Sequence, residues 1–125
     1  LGLLTLNAFV CTDTILIPIQ CEYYALEGLS QLIKTIRLVK KGLNPSLDIE
    51  GVLLTMFDAR TNLSIQVADE VKKYYPKKVY ASVIPRNVRL SEAPSYGQPI
   101  LYYDKSNKGC IAYGALVDEI LKKNR

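Results

Sequence analysis

Residues 79–97 read VYASVIPRNVRLSEAPSYG, and this stretch decides the fold class. Its apolar opening predicts a buried strand that ends at Ile84, because Pro85 fixes its own φ and holds the preceding residue in the extended region. Asn87 is a favourable N-cap for a short helix, and Pro94 limits the length of that helix. A strand that leads into a capped helix is the repeating unit of α/β folds.

Two arginines, Arg86 and Arg89, stand on this strand-to-helix connection. In open α/β sheets, ligands bind beyond the carboxyl ends of the strands, which is where the connection lies. The arginines therefore either belong to an anion-binding site or are an ordinary solvated pair on a tight loop. Loop chemistry alone leaves both interpretations open.

The rest of the chain also alternates between strands and helices. Helical periodicity predicts a short helix at residues 3–10 and three long helices at about 24–41, 62–75 and 108–123. Apolar runs predict two further strands, at residues 14–17 and 49–57. Pro18 is expected to end the first strand, and residues 99–103 are expected to be extended. The alternation predicts right-handed crossovers and a mostly parallel sheet flanked by helices.

The last two helices are each predicted to bury one apolar stripe. The predicted stripes comprise Leu63, Val67, Val71 and Tyr74, and Tyr113, Leu116, Val117, Ile120 and Leu121. The strand at residues 14–17 is expected to leave a long apolar sheet edge uncovered. The chain alone should therefore be unstable or should associate.

Composition narrows the classes of function. The 125 residues carry a formal net charge of +4, three cysteines and no histidine. The small positive charge means that DNA binding would need a few well-placed residues. Absence of histidine excludes Ser-His and Cys-His nucleophile pairs and the commonest zinc ligand. Three widely spaced cysteines fit reduced thiols in the cytoplasm better than a disulfide framework.

Three segments resemble the ParA/Soj chromosome and plasmid partitioning ATPases: PIQCEYYALEG at 18–28, GVLLTMFDARTN at 51–62 and IPRNVRLSEAPSYG at 84–97. The match runs in order across nearly the whole chain. Members of that family open with a deviant Walker A loop, followed by a Walker B strand. No Gly-Lys-Thr run occurs here, and Leu1 falls where the family sequence continues after Walker B.

The resemblance implies that residues 1–125 are the C-terminal portion of a single ParA-type P-loop domain without its N-terminal P-loop strands. It implies a parent that binds ATP and Mg²⁺, dimerises with ATP, binds DNA non-specifically on the nucleoid and does not bind membrane. Hydrolysis would be stimulated by a ParB/Spo0J-like centromere-binding protein. This portion is expected to hold no catalytic residue and no metal ligand, to bind no cofactor tightly and to be inactive alone.

By the same resemblance, four residues line the adenine base. They are Thr55 and Met56 at the end of the second strand, and Pro85 and Asn87 after the third. Adenine needs a flat apolar slot with a few donors and acceptors, and two adjacent strand ends can supply one. The alternative is that Met56 is a core residue and Asn87 only a helix cap.

Arg60 and Arg89 match the arginines with which this family binds DNA without sequence preference. The alternative is that both are solvated surface arginines. Arg86 is expected to pair with a nearby carboxylate such as Glu92. A few arginine–phosphate contacts per subunit, doubled in a dimer, would give salt-dependent binding.

Two other functions remain open from the sequence. A MinD-like cell-division ATPase would have a similar fold, but its basic amphipathic membrane helix has no counterpart after residue 123. A truncated binding module that acts without nucleotide is the second alternative, although the uncovered sheet edge makes it physically awkward.

Overall fold

Three parallel strands, β1 (Thr14–Gln20), β2 (Asp48–Phe57) and β3 (Val79–Pro85), lie side by side in that order. The structure is a computed structural model that describes residues 2–125. The helices are α1 (Leu3–Cys11), α2 (Ala25–Gly42), α3 (Asn62–Tyr74), α4 (Val88–Glu92), α5 (Ile100–Tyr103) and α6 (Lys108–Lys123). The predicted α/β class with a parallel sheet is confirmed. In the described part of the chain, no helix is long and apolar enough to cross a membrane.

Helices cover both faces of the sheet. On one face, Val52 and Leu54 of β2 belong to a buried cluster with α2 and α3. On the other face, Leu53 joins a second cluster in which Leu116 of α6 is buried. The alternation of successive strand residues between the two clusters follows from the period of two in a β-strand.

The first strand continues past Pro18, so the prediction that this proline ends pairing is wrong. Pro18 pairs in register with Leu53, and Ile19 and Gln20 extend the ladder to Leu54 and Thr55. Proline removes only one donor, and it is tolerated because β1 is an edge strand within residues 2–125. The longer strand carries its carboxyl end to the level of the end of β2.

Residues 100–103 form the short helix α5 and not the predicted extended segment. The amide N–H groups of Tyr102 and Tyr103 both donate to the carbonyl of Pro99, at 3.0 Å. A proline immediately before a helix sacrifices no hydrogen bond, since the first N–H groups of a helix have no partner within it. The proline that suggested an extended segment is therefore equally compatible with a helix at residues 100–103.

Two of the predicted helix stripes are displaced around their helices. In α3, Leu63 and Tyr74 are exposed while Ser64 and Ala68 are buried beside Val67 and Val71. In α6, Leu116 is buried, but Tyr113, Val117 and Leu121 are exposed. Each helix touches the sheet along a single line of residues. Leu63 and Tyr74 stand at the two ends of α3, and Val117 lies about 100° around α6 from Leu116, so these side chains face outward despite their hydrophobicity.

Gly51 of β2 lies directly against the ring of Tyr80 on the neighbouring strand. A Cβ atom built on Gly51 would overlap the Cζ, Cε2 and hydroxyl atoms of that ring. Tyr80 is only 3% exposed, so the ring is enclosed on its other sides. The glycine is required here because a neighbouring side chain occupies the space of its missing Cβ.

The outer edge of β3 is capped by a carboxylate. Glu119 of α6 accepts hydrogen bonds from the backbone N–H of Ala81 at 2.7 Å and of Ser82 at 3.0 Å. Burial opposes ionisation of this carboxyl, but the backbone and side chain of Ser82, the backbone N–H of Ala81 and the charge of Lys123 together lower the pKa of Glu119. An edge strand whose donors are occupied is protected from pairing with another strand.

Replacement Glu119→Ala should lower the free energy of unfolding by about 1–2 kcal/mol at pH 7, since two charge-assisted hydrogen bonds are lost. Because the folded pKa is lowered, this stabilisation is complete above the unfolded pKa of about 4.3 and is lost as the pH falls through the folded value. Urea unfolding of both proteins between pH 7 and pH 3 should show the difference shrinking. A constant difference would mean that the side chain acts by packing alone.

Candidate site at the carboxyl edge of the sheet

The carboxyl ends of β2 and β3 meet at one point. Phe57 is paired with Pro85, and the backbone N–H of Arg86 donates to the Phe57 carbonyl at 2.9 Å. The connections that follow the two strands therefore start from adjacent positions. This edge is the usual place for a ligand in an open α/β sheet.

Met56 lies in an irregularity of β2. Its φ is +53°, and among the described residues no other non-glycine has a positive φ. The register between β2 and β3 shifts between Leu54 and Phe57, as expected where a bulge interrupts a ladder. Such a backbone costs about 1–3 kcal/mol and is typically found where a side chain is aimed at a ligand. Met56 is half-buried, unlike a core residue of the sheet.

Thr55 connects β2 to β1. Its hydroxyl donates to the carbonyl of Ile19 at 3.1 Å, and its own carbonyl accepts from the Cys21 N–H at 3.0 Å. With its hydroxyl proton engaged, Thr55 can offer a ligand only acceptor lone pairs. Thr55 therefore holds the ends of β1 and β2 together and offers a hydrogen-bond acceptor at the edge of the sheet.

Asn87 is a helix cap, as predicted. Its Oδ1 accepts from the backbone N–H of Arg89 at 2.9 Å and so begins α4. Its Nδ2 donates to no residue within 2–125, which leaves two N–H bonds for a ligand or solvent. The cap and a ligand contact use different atoms of the side chain, so one role does not exclude the other.

Arg60 follows β2 and is held by Asp58. Its Nε and Nη2 donate to the two carboxylate oxygens of Asp58, each at 3.0 Å. The side-chain hydrogen bond from Arg60, followed by that from its backbone N–H, lowers the pKa of Asp58, which therefore stays ionised at neutral pH. The Arg60 side chain is nevertheless 88% exposed. An exposed, paired guanidinium at a sheet edge is able to exchange its carboxylate for another anion.

Arg89, in the first turn of α4, has acidic and aromatic neighbours. Its Nη1 lies 3.5 Å from Glu92, its Nε lies 3.8 Å from Asp104, and its guanidinium lies 5.9 Å from the ring centre of Tyr103. The hydroxyl of Tyr103 donates to Glu92 at 2.8 Å. Arg86 does not pair with Glu92, the carboxylate suggested for it, because Arg86 precedes α4 whereas Arg89 and Glu92 are one helical turn apart. The charge of Arg86 acts instead on the nearby carboxylate of Asp58, whose pKa it helps to lower.

The sequence matches known proteins along its whole length. An AAA domain family model matches residues 1–49. The chromosome partitioning protein ParA of Myxococcus xanthus is 60% identical over 99% of this chain, and the sporulation initiation inhibitor protein Soj of Bacillus subtilis is 65% identical over 96% of it. The resemblance to the ParA/Soj family is confirmed. The chain spans 44% and 47% of these two relatives, which is about half their length.

Solved structures agree with the fold of this ParA/Soj-like chain. Cobyrinic acid a,c-diamide synthase from Mycobacterium smegmatis with bound ADP and magnesium superposes with a TM-score of 0.74 and 33% identity, over 99% of this chain and 45% of that one. The cell division ATPase MinD of Pyrococcus furiosus superposes with a TM-score of 0.72 and 25% identity, over 98% of this chain and 48% of that one.

In this ParA/Soj-like chain the structure places the six predicted site residues at or just after neighbouring strand ends. The acidic partners of the two arginines were not predicted from the sequence. Asp58 precedes Arg60 by two residues, the spacing of an Asx turn, which was a usable signal. The Arg89–Glu92 spacing of three within a helix was another. No local sequence signal pointed to Asp104 or Tyr103, because the turn of the chain after Gly97 brings them to Arg89 from outside α4.

Proposed function

We propose that this chain is the C-terminal portion of a chromosome or plasmid partitioning ATPase, which binds ATP, dimerises and then binds DNA without sequence preference. One observation carries the proposal: two exposed arginines, Arg60 and Arg89, follow adjacent strand ends beside the proposed nucleotide wall. Because nucleotide and DNA would bind at the same carboxyl edge of the sheet, ATP binding could control how the arginines of two subunits face the DNA. High identity to ParA and Soj proteins supports this function.

The proposed adenine wall consists of Thr55, Met56, Pro85 and Asn87. The strained backbone at Met56 and the unengaged Nδ2 of Asn87 fit an aromatic base with exposed nitrogen acceptors. In this proposal the phosphates and Mg²⁺ are held by a part of the domain outside this chain. The similar structure of cobyrinic acid a,c-diamide synthase, which contains ADP and magnesium, supports ATP and Mg²⁺ as the cofactors.

The remaining features of the proposal concern the intact protein. It would act in the cytoplasm on the nucleoid, and a ParB/Spo0J-like centromere-binding protein would stimulate hydrolysis. The portion described here, without the phosphate-binding part, would not hydrolyse ATP. A MinD-like membrane function receives less support, since identity to MinD is 25% against 60–65% to the ParA and Soj proteins.

The test is DNA binding by the intact protein that carries this chain, with ATP and Mg²⁺, over a series of salt concentrations. We expect binding only with ATP, without preference between unrelated sequences, and with a log–log salt slope of about −0.9 for each phosphate neutralised. Binding to anionic vesicles but not to DNA would favour the MinD-like function. DNA binding that ignores nucleotide would favour a binding module.

Replacement Asn87→Asp separates the two roles of this residue. Aspartate preserves the capping oxygen but replaces the Nδ2 donor with an acceptor, so α4 should form while ATP affinity falls by about 10-fold or more, because an adenine acceptor loses its partner. Titration with a fluorescent ATP analogue measures the loss, and circular dichroism checks the helix. An unchanged ATP affinity would reduce Asn87 to a cap.

A further inference from the structure

Both proposed DNA-binding arginines are already paired with carboxylates of their own chain. Arg60 makes two hydrogen bonds of 3.0 Å to Asp58, and Arg89 lies 3.5 Å from Glu92 and 3.8 Å from Asp104. The two-point geometry at Asp58 is the one with which a guanidinium binds phosphate. The N–H groups that bind Asp58 cannot bind phosphate at the same time, and the carboxylate partly neutralises the charge that the remaining guanidinium N–H groups present.

The Asp58 carboxylate is fixed more firmly than the arginine that it binds. Its Oδ1 also accepts from the backbone N–H of Arg60 at 3.0 Å, and the backbone N–H of Asp58 donates to Ser64 Oγ at 3.2 Å. The Asp58 side chain is 17% exposed, against 88% for Arg60. Of the two partners, the arginine therefore has the greater freedom to change its contacts.

Glu92 is fixed in a comparable way. Its carboxylate accepts from the Tyr103 hydroxyl at 2.8 Å, and the Tyr103 ring stacks on Tyr96 with 5.3 Å between ring centres. The stacked tyrosines hold Glu92 beside Arg89, while Asp104 approaches the same guanidinium from the end of α5. The loop after β2 and the helix α4 thus supply the same arrangement of an anchored carboxylate and an exposed arginine.

We propose that the carboxylates of Asp58, Glu92 and Asp104 compete with DNA phosphate for Arg60 and Arg89 and thereby lower and tune the affinity of the DNA interface. The inference rests on the proposed function, since it concerns the same two arginines. Exposed ion pairs are weak, so the competition reduces affinity without abolishing it. Weak non-specific binding permits the protein to leave one DNA segment for another.

The test uses Asp58→Asn in the intact protein with ATP and Mg²⁺. Asparagine keeps the Oδ1 acceptor for the Arg60 backbone N–H, so the turn remains, while the competing charge is removed. DNA affinity should rise by about two- to fivefold at low salt, and the gain should shrink as salt screens the ion pair. The pairs at Arg89 are longer, so Glu92→Gln and Asp104→Asn should each give a smaller gain.

Two controls separate competition from general charge. Asp69→Asn removes the same charge from an exposed position of α3 that contacts neither arginine, and it should change affinity less than Asp58→Asn. In an Arg60→Ala background, Asp58→Asn should lose most of its gain, because the hydrogen-bonded arginine is gone and only the more distant charge of Arg86 still acts on the carboxylate. A gain of undiminished size in that background would overturn the inference.

The outcomes also separate this inference from the proposed function. Wild-type binding that depends on ATP, together with equal or weaker binding by Asp58→Asn, would overturn the competition and make Asp58 a supporting residue for Arg60. Absence of DNA binding by the wild type and by Asp58→Asn alike would overturn both the function and the competition.

Discussion

Replacement of Arg60 and Arg89 by alanine together should reduce the DNA affinity of the intact ATP-bound protein by about 60-fold or more at 0.1 M salt. The estimate follows from the loss of two phosphate contacts per subunit, each worth about 8-fold at that salt relative to 1 M. If a dimer presents four arginines, the loss should approach about 4,000-fold. The log–log salt slope should become shallower by about 1.8 per subunit.

A matched control for this double variant is Arg37→Ala/Lys41→Ala. It removes the same charge from exposed positions of α2, where the helix runs toward the amino end of β2. Its DNA affinity should fall far less, since the removed charges lie away from the carboxyl edge. ATP affinity should be unchanged in both variants. Equal losses of DNA binding in the two would contradict a specific arginine site.

Replacement Gly51→Ala should destabilise the intact protein by about 3 kcal/mol or more, a large part of the 5–15 kcal/mol that typically stabilises a domain. The added methyl group would overlap the enclosed ring of Tyr80. The ring has little room to move aside, because Tyr80 is buried in the cluster that includes Leu53, Ile84 and Leu116. Urea denaturation monitored by circular dichroism measures the loss.

The control for this variant is Gly114→Ala in α6, where an added Cβ has no atom within 4 Å. That substitution should be neutral or stabilise by up to about 1 kcal/mol, because alanine favours helix. Adding Tyr80→Val to Gly51→Ala should recover part of the loss relative to the sum of the two single variants. Strict additivity would show that the ring is not the cause.

The sequence predicted the order and type of the main elements because apolar period and capping residues are local signals. The last helix was predicted at about 108–123 from its apolar residues, and the structure has it at Lys108–Lys123, where Asn107 Oδ1 accepts from the Gly109 N–H and fixes the start. The end of β1 was not predicted, because tolerance of Pro18 depends on which strands lie beside it. Propensity carries no information about neighbours that are distant in the sequence.

The candidate site was predicted residue by residue only through resemblance to a family. Physical reasoning placed Arg60, Arg89 and Asn87 on connections after strands, and the register of β2 with β3 brings those connections together. It did not predict the left-handed backbone at Met56, since methionine has no preference for that conformation. Nor did it predict the carboxylate partners, of which Asp58 and Glu92 are local and Asp104 comes from the end of α5.

The capped edge of β3 has a consequence for how the sheet can be completed. With its donors at Ala81 and Ser82 occupied by Glu119, this side of the sheet resists further strands, whereas β1 has a free edge within residues 2–125. The two edges of the sheet thus differ: the β3 edge is blocked, and the β1 edge can pair with a further strand. In a split-protein reconstitution, we therefore expect a complementary fragment to add its strand beside β1 and not beside β3.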